Sequence, residues 1–417
     1  MHIEAVETTT LANGLRVVSE RVPYVQSASI GVWVDVGARH EKPGERGITH
    51  FIEHMLFKGT ERRSARDIAS EIESVGGSLN AFTDKEYTCY YGRALSEHAP
   101  LVLDVLADMI RNSTLDPEEF AREKNVVIEE IKRYEDTPDD LVHDLFARAV
   151  WQSHPLGRPV IGTARSVGSL TVERVRSFMR DHYVPSRMLV AAAGNITHRS
   201  LVRLATRLFG DMPDRSVPAP TRCPLARGKQ VRRHRRSEQV HFCLGGPTFA
   251  QTDDRRYPLT ILDMVLGGNM SSRLFQEVRE KRGLAYAIGS YATAFRDCGL
   301  FTIYGGTSPT TLQQVLDVTA EELATVRREG LRDDEIARAK TQIRGAMVIG
   351  LENMSGRMMR LGKSTLYHGR VIPLDEISAC VQRVTAEDIL EVAHYTLDPE
   401  RLSFAAIGPF PRGGASL

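Results

Sequence analysis

The spacing of apolar and polar residues predicts two halves of similar organisation, each with strand-like segments followed by long helical patterns. In the first half, residues 14–18 and 28–36 are short apolar runs of the kind that form strands. Residues 117–136 place apolar side chains among many charges, and Pro117 directly after Asp116 marks a helix start. A polar stretch rich in proline and arginine, residues 211–230, has the composition of an interdomain linker. We therefore expect an N-terminal domain over residues 1–210 and a C-terminal domain over residues 231–417.

The two halves also resemble each other in sequence. Residues 115–131 align without gaps on residues 331–347, with leucine, acidic, Ala-Arg and lysine positions in common. This predicts a duplicated domain of roughly 200 residues, although two unrelated amphipathic helices can also match by chance. In the alignment Glu123 falls on Ala339 and Glu130 falls on Ala346. Whatever the two acids do is therefore expected in the first half alone.

Composition narrows the class of protein. A chain of 417 residues with 42% hydrophobic and 26% charged residues is typical of a soluble protein with more than one core. The net charge of +1 gives no reason to expect nucleic acid or a membrane surface as a partner, and no signal peptide or membrane-spanning run is visible. The five cysteines are odd in number and never form a C-x-x-C pair, which favours reduced thiols and a cytoplasmic protein.

The strongest chemical signal is an H-x-x-E-H run at residues 50–54. On a helix, His50 and His54 lie one turn apart and can bind one metal ion, while Glu53 lies beside the same site. This is the arrangement of ligands and base in an inverted zinc peptidase. A buried helix with two incidental histidines has the same pattern, so the prediction depends on a third ligand.

The third ligand is expected on the helix predicted over residues 117–136. Glu123 and Glu130 are seven residues apart and share one helix face, beside apolar neighbours such as Val127. A carboxylate beside such a face is costly unless it is paired or binds a metal. Since two histidines and a glutamate form an established catalytic zinc set, we predict Glu130 as the third ligand. Glu123 is then predicted to accept a hydrogen bond that orients a ligand histidine.

Together these motifs resemble the pitrilysin family of zinc peptidases, most closely its processing-peptidase branch. The likeness spans nearly the whole chain, and it rests on H-x-x-E-H, on Glu123 and Glu130, and on four longer segments, residues 47–60, 76–91, 154–163 and 270–286. The resemblance implies one zinc ion per chain, held by His50, His54 and Glu130. It also implies that Glu53 takes a proton from the zinc-bound water and passes it to the leaving amine.

The resemblance further implies how a peptide is bound. Residues 78–91 match a strand at an exposed sheet edge, where Asn80 and Ala81 lie beside the scissile bond of an extended substrate. Arg279 and Tyr286 match a pair that steadies the substrate and the developing oxyanion. Because this pair lies in the half without zinc ligands, it is expected to act on a partner's site in a homodimer. Asp140 and Asp144 match acidic positions that receive an arginine near the cleavage site.

The fold that the resemblance implies is α+β. It has two homologous domains, each a mostly antiparallel sheet flanked by helices, which form half of a clamshell-like chamber. The leading functional hypothesis is a zinc endopeptidase that hydrolyses unfolded peptides or presequence-like segments. The alternatives are a non-catalytic structural or partner subunit of the same fold and an oligopeptidase with no processing role.

Overall fold

The structure is a computed structural model, and it describes residues 5–224 and 228–410. Residues 225–227 of the predicted linker lie outside the described residues, as do the first four and last seven residues of the chain. The strands are β1 Glu7–Thr10, β2 Arg16–Arg21, β3 Ser27–Val34, β4 Ser78–Thr83, β5 Thr88–Leu95, β6 Met188–Gly194, β7 Gln230–His234, β8 Val240–Thr248, β9 Ala285–Ala294, β10 Gly299–Thr307 and β11 Ser403–Gly408. The helices are α1 Ile48–Leu56, α2 Ala65–Glu73, α3 Ala99–Asn112, α4 Pro117–Glu135, α5 Pro138–Trp151, α6 Ala164–Gly168, α7 Val172–His182, α8 His198–Phe209, α9 Arg256–Leu266, α10 Leu312–Glu329, α11 Asp333–Ile349, α12 Met354–His368, α13 Leu374–Arg383 and α14 Ala386–Thr396.

Two sheets of matching topology organise these elements. The first has the strand order β1-β2-β6-β3-β5-β4, and the second has the order β7-β11-β8-β10-β9. The pairs β2–β6 and β7–β11 are parallel, whereas every other named pair is antiparallel. Apart from β1, each strand of the first sheet has a counterpart at the same place in the second. The predicted α+β class, with two related and mostly antiparallel sheets, is confirmed.

Two sequence predictions differ from the structure in their boundaries. The single strand expected over residues 78–91 is a hairpin, β4 and β5, whose turn is closed by a hydrogen bond from the Asp84 amide to the Tyr87 carbonyl. The helix expected over residues 117–136 forms as α4, Pro117–Glu135. Its start agrees with the Asp116 side chain, which accepts hydrogen bonds from the amides of Glu118 and Glu119.

The compact units of the structure do not follow the chain in order. One unit comprises residues 5–132, 159–221 and 348–372, and the other comprises the described parts of 133–158, 222–347 and 373–410. In the first unit α12, from the second half of the sequence, packs on β2, β3 and β6. In the second unit α5, from the first half, packs on β7, β8 and β11. The two halves thus exchange equivalent helices, and the predicted domain boundaries at 210 and 231 remain a prediction about the duplicated sequence.

Each unit has its own apolar core. In the first unit α1 and α3 bury side chains such as Phe51 and Leu106 against the sheet, and a second cluster joins Trp33 to Met358 and Leu361 of α12. In the second unit α9, α10 and α14 cover Phe242 and Phe301.

All five cysteines are free thiols. Among the described residues no helix is both long and apolar enough to cross a membrane.

Candidate metal centre

Helix α1 presents the H-x-x-E-H side chains because the rest of its surface is apolar. Its buried residues are Ile48, Thr49, Phe51, Ile52, Met55 and Leu56. Burying them turns His50, Glu53 and His54 to the half-buried side of the helix. The helical spacing read from the sequence therefore sets the geometry of the motif.

Helix α4 brings the two predicted acids to the same place. Its buried face contains Phe120, Glu123, Val127 and Ile131. Phe120 contacts Phe51 of α1 with ring centroids 4.8 Å apart, which joins the two helices. Glu123 is almost fully buried, whereas the Glu130 side chain, two turns further along, is 44% exposed.

His50, His54 and Glu130 converge. The His54 Nε2 atom lies 3.5 Å from Glu130 Oε2, and His50 Nε2 lies 3.9 Å from Glu130 Oε1. Within the described residues, these three side chains are the set of histidine, cysteine and acidic groups whose ligand atoms all lie within 4.8 Å of one another.

This donor set fits zinc. Two imidazole nitrogens and one carboxylate oxygen are a known catalytic zinc set, which leaves a fourth position for water or substrate. Burial, with the nearby His54 charge, lowers the pKa of His50 to about 4, so its imidazole is neutral and able to bind a metal at physiological pH. The structure supports the predicted ligands by position, and their binding of zinc remains a prediction.

Glu123 holds the outer nitrogen of His54. Its Oε1 atom lies 2.8 Å from His54 Nδ1, and its Oε2 atom lies 2.7 Å from the Lys58 ammonium. Burial alone would raise the pKa of Glu123, but the hydrogen bonds from His54 and Lys58 outweigh burial and lower it. Glu123 is therefore an anion that holds His54 with Nε2 turned towards Glu130, and its predicted role of orienting a metal ligand stays a prediction.

Glu53 is held by a residue of the neighbouring strand. The Thr83 hydroxyl, at the end of β4, donates a 2.6 Å hydrogen bond to Glu53 Oε2. Burial raises the pKa of the Glu53 carboxyl, and the Thr83 hydrogen bond and the His54 charge oppose that rise only in part. A carboxylate whose basicity is raised is better suited to accept a proton from water.

Strand β4 lies at the end of its sheet, as the resemblance implies. It pairs with β5 on one side, and Asn80 and Ala81 face Tyr91 and Tyr90 in that register. The Asn80 side chain is exposed and accepts a hydrogen bond from the Ala81 amide at 2.8 Å. The other edge of β4 carries backbone groups of the kind that an extended peptide can pair with.

Arg279 and Tyr286 lie close together in the second unit. Arg279 is in a π-helical turn, Phe275–Glu280, and its guanidinium carbon lies 5.3 Å from the centre of the Tyr286 ring. Tyr286 is 78% exposed on β9, which is a large aromatic surface to leave in water. The three candidate ligands belong to the first unit. The structure thus pairs the two residues with each other, and their action on a metal site stays a prediction.

Asp140 and Asp144 lie one turn apart on α5, also in the second unit. Asp140 is exposed and Asp144 is half-buried. The charge of Asp144 adds to burial in raising the pKa of the neighbouring Tyr134 phenol. Their common face is compatible with a guanidinium, and the assignment to substrate arginine remains a prediction.

Sequence reasoning missed three residues of this region: Lys58, Thr83 and Glu41. Lys58 and Thr83 contact Glu123 and Glu53, and Glu41 caps α1 through Gly47 and Thr49. For Lys58 a weak signal exists, since a basic residue follows His54 by four residues, just beyond the end of α1 at Leu56. Thr83 and Glu41 give no signal, because their contacts depend on how separate segments pack.

Two protein-family descriptions match the chain. Residues 16–164 match the family described as insulinase (peptidase family M16), and residues 169–343 match the one described as peptidase M16 inactive domain. The first match contains the candidate metal centre, and the second contains Arg279 and Tyr286.

Relatives and solved structures agree with these matches. An uncharacterized zinc protease of Streptomyces coelicolor is 46% identical over 99% of this chain and 92% of its own length. The uncharacterized zinc protease YmxG of Bacillus subtilis is 44% identical over 96% of this chain and 97% of its own. The crystal structure of a protease from Helicobacter pylori superposes with a TM-score of 0.91 at 21% identity, covering 98% of this chain and 100% of that one. At that identity the likeness shows the fold alone.

Proposed function

Because the chain belongs to the insulinase-type peptidase family M16, we propose that it is a zinc-dependent endopeptidase that hydrolyses unfolded peptides or presequence-like segments. The observation that carries the proposal is the convergence of His50, His54 and Glu130 beside a half-buried, hydrogen-bonded Glu53. A non-catalytic subunit would have no need of this complete set.

The reaction follows from what each side chain can do. Zinc bound by His50, His54 and Glu130 would acidify a water molecule and polarise the scissile carbonyl. Glu53, with Oε2 held by Thr83, accepts the proton of the attacking water at Oε1 and returns it to the leaving nitrogen. Glu123 keeps His54 oriented throughout, because its other oxygen is tied to Lys58.

Substrate binding would use the free edge of β4. An extended peptide that pairs with Asn80 and Ala81 is recognised chiefly by its backbone, so the enzyme would accept varied sequences but only unfolded chains. Asp140 and Asp144 would add a preference for arginine. Arg279 and Tyr286 would stabilise the negative charge that develops on the carbonyl oxygen, each pair acting on the partner chain of a homodimer.

The central test compares wild type with Glu53→Gln on a quenched, arginine-containing peptide, with bound zinc measured in both. We expect near-stoichiometric zinc in each protein, and cleavage lowered by at least about a hundredfold in the variant. Glu129→Gln is the matched control, since Glu129 is exposed on α4 and pairs with Lys132. Wild-type protein that binds zinc yet cleaves none of a panel of peptides would favour the structural-subunit alternative.

The shared site has its own test. Glu53→Gln and Tyr286→Phe are each expected to be impaired, and mixing the two should restore part of the activity if Tyr286 acts on the partner chain. Without any recovery, and with subunit exchange verified, Tyr286 would have to act within its own chain or not at all.

A further inference from the structure

The N-terminus of α1 lacks a cap of its own. The residue before the helix, Gly47, has a left-handed φ of 84° and carries no side chain that could accept from the first-turn amides. The first amides of a helix have no partner within the helix, and leaving them unpaired in a buried place is costly. Contacts at this end therefore bear on the position of the nine-residue helix that carries His50, Glu53 and His54.

A buried carboxyl group from outside the helix supplies the missing acceptors. Glu41 Oε2 accepts the Gly47 amide at 2.9 Å, and Oε1 accepts the Thr49 amide at 3.0 Å and the Thr49 hydroxyl at 2.6 Å. Glu41 is 3% exposed and Thr49 is fully buried, so water does not compete for these bonds. Burial raises the pKa of the Glu41 carboxyl group to about 7 against these hydrogen bonds, and in its ionised form the group complements the partial positive charge of the helix N-terminus.

The same helix start is confined from its other side. A Cβ at Gly47 would lie 2.7 Å from the Ile161 carbonyl oxygen and 3.0 Å from the Gly162 Cα. The backbone before α1 therefore has no room to move towards residues 161–162. The hydrogen bonds from the Gly47 and Thr49 amides to Glu41 restrain it as well. Thr49 directly precedes His50, so a shift of the first turn passes straight to the ligand atoms that face Glu130.

We propose that Glu41 is a positioning residue for the metal centre: by capping α1 through Gly47 and Thr49, it sets His50, Glu53 and His54 against Glu130 and Thr83. This role rests on the proposed function only as regards catalysis, since the position of α1 and the affinity for zinc can be measured without any substrate. If Glu41 only stabilised the fold, its replacement would lower the free energy of unfolding and leave the geometry of the folded site unchanged.

The main variant is Glu41→Gln, which keeps one oxygen acceptor and turns an NH2 group towards a backbone N–H. Glu45→Gln is the matched control, because Glu45 is in the same segment, is only half-buried and accepts from the Lys42 amide of its own turn. Thr49→Ala removes the hydroxyl together with the γ-methyl group, whereas Thr49→Ser keeps the hydroxyl and lacks only the methyl group. This second pair keeps the test open if Glu41→Gln does not fold.

Three measurements decide the proposal. Hydrogen exchange over residues 48–56 of the metal-free protein should be faster in Glu41→Gln and Thr49→Ala. Competition with a chromophoric chelator should show zinc affinity lowered by about tenfold or more in Glu41→Gln and by less in Thr49→Ala. With peptide substrate, kcat should fall by a similar factor while KM changes by less than about twofold. Glu45→Gln should match wild type, and Thr49→Ser should recover what Thr49→Ala loses.

Unchanged α1 exchange and unchanged zinc affinity in Glu41→Gln and Thr49→Ala would overturn the proposal, whatever happens to the free energy of unfolding. The outcome is separable from failure of the proposed function. Wild-type protein that binds zinc and cleaves no peptide would contradict the proposed peptidase function. The hydrogen exchange of α1 and the zinc affinity would still decide the role of Glu41.

Discussion

The pKa values of two histidines one helical turn apart on α1 are shifted in opposite directions. Burial, together with the positive charge of a protonated His54, lowers the pKa of His50 to about 4. Burial also disfavours charge on His54, but the hydrogen bond to Glu123 and the charges of Glu130 and Glu53 outweigh burial and raise its pKa above 6.5. One residue type at equivalent positions thus takes two roles, and the neighbouring acids make the difference.

A titration of the metal-free protein checks this assignment. By NMR, His54 should titrate above pH 6.5 and His50 at about 4, and Glu123→Gln should lower the pKa of His54. The two shifts change the pH dependence of the free energy of unfolding in opposite ways. The stabilisation from His54 is fully present below pH 6.5 and is lost as pH rises through its pKa in the folded protein. The stabilisation from His50 is present above pH 6.5 and is lost as pH falls towards 4. Equal pKa values for the two rings would contradict the electrostatic account.

At this scale the sequence predicted the residues whose spacing is local. His50 and His54 share a turn of one helix and Glu123 and Glu130 share a face of another, so their geometry follows from helical periodicity. That the two faces meet was inferred from the three ligands that a catalytic zinc ion requires, and the resemblance implied the same set. Thr83 and Glu41 could not be predicted, because each reaches α1 from a separate segment through tertiary packing.

Elements of the fold tie the predicted substrate edge to the predicted base. Strand β4, the last strand of its sheet among the described residues, carries Asn80 and Ala81 and ends at Thr83, whose hydroxyl donates to Glu53. A peptide added to β4 would therefore lie beside the carboxylate that the same strand orients. The sequence favoured one continuous strand over residues 78–91, since its aromatic and hydroxyl residues suit a strand throughout, and the turn at Asp84 carries only a weak signal.

Removing the Thr83 hydroxyl should weaken catalysis without loss of zinc. Thr83→Val leaves Glu53 without that donor, so we expect kcat to fall by about tenfold, consistent with a hydrogen bond to a charged group. Because this bond lowers the pKa of Glu53, its loss should move the acidic limb of the pH–rate profile to higher pH. Thr83→Ser should restore both quantities. An unshifted acidic limb in Thr83→Val would argue that Glu53 is not the titrating base.

Helix α12 packs so closely on the first sheet that one methyl group should disturb it. A Cβ at Gly362 would fall far inside van der Waals contact with the Trp33 indole ring. Gly362→Ala should therefore lower the free energy of unfolding by about 1–3 kcal/mol, measured by chemical denaturation. Gly345→Ala on α11 is the matched control, since a Cβ there has no described heavy atom within 4 Å and should stabilise by about 0.5–1 kcal/mol. A similar effect of both substitutions would contradict the close packing of α12.

At the scale of the whole molecule, the duplicated halves complete one another. The first sheet is covered by α12 from the second half of the sequence, and the second sheet is covered by α5 from the first half. The matched strand orders show that both helices occupy equivalent places. The sequence predicted the duplication but not the exchange, because hydrophobic periodicity shows that a helix has an apolar face and not which sheet that face covers.

This exchange predicts that neither half folds alone. Without α12, residues 1–221 would expose an apolar cluster that includes Trp33, Cys89 and Leu189, all fully buried in the chain. Expressed singly, residues 1–221 and 222–417 should each bind a hydrophobic dye and lack a cooperative unfolding transition. Co-expressed, they should purify as one folded complex, because each supplies the helix that the other lacks.

The control for this co-expression experiment compares apolar side chains that are buried with apolar side chains that are exposed. Replacing Met358 and Leu361, which are fully buried on α12, by aspartate should prevent co-purification, since each would place a charge against the apolar cluster. The same replacement at Val348 and Ile349, which are 56% and 66% exposed, should leave it intact. A fragment of residues 1–221 that unfolds cooperatively by itself would show that the first sheet does not need α12, and the halves would then be independent domains as their sequences suggest.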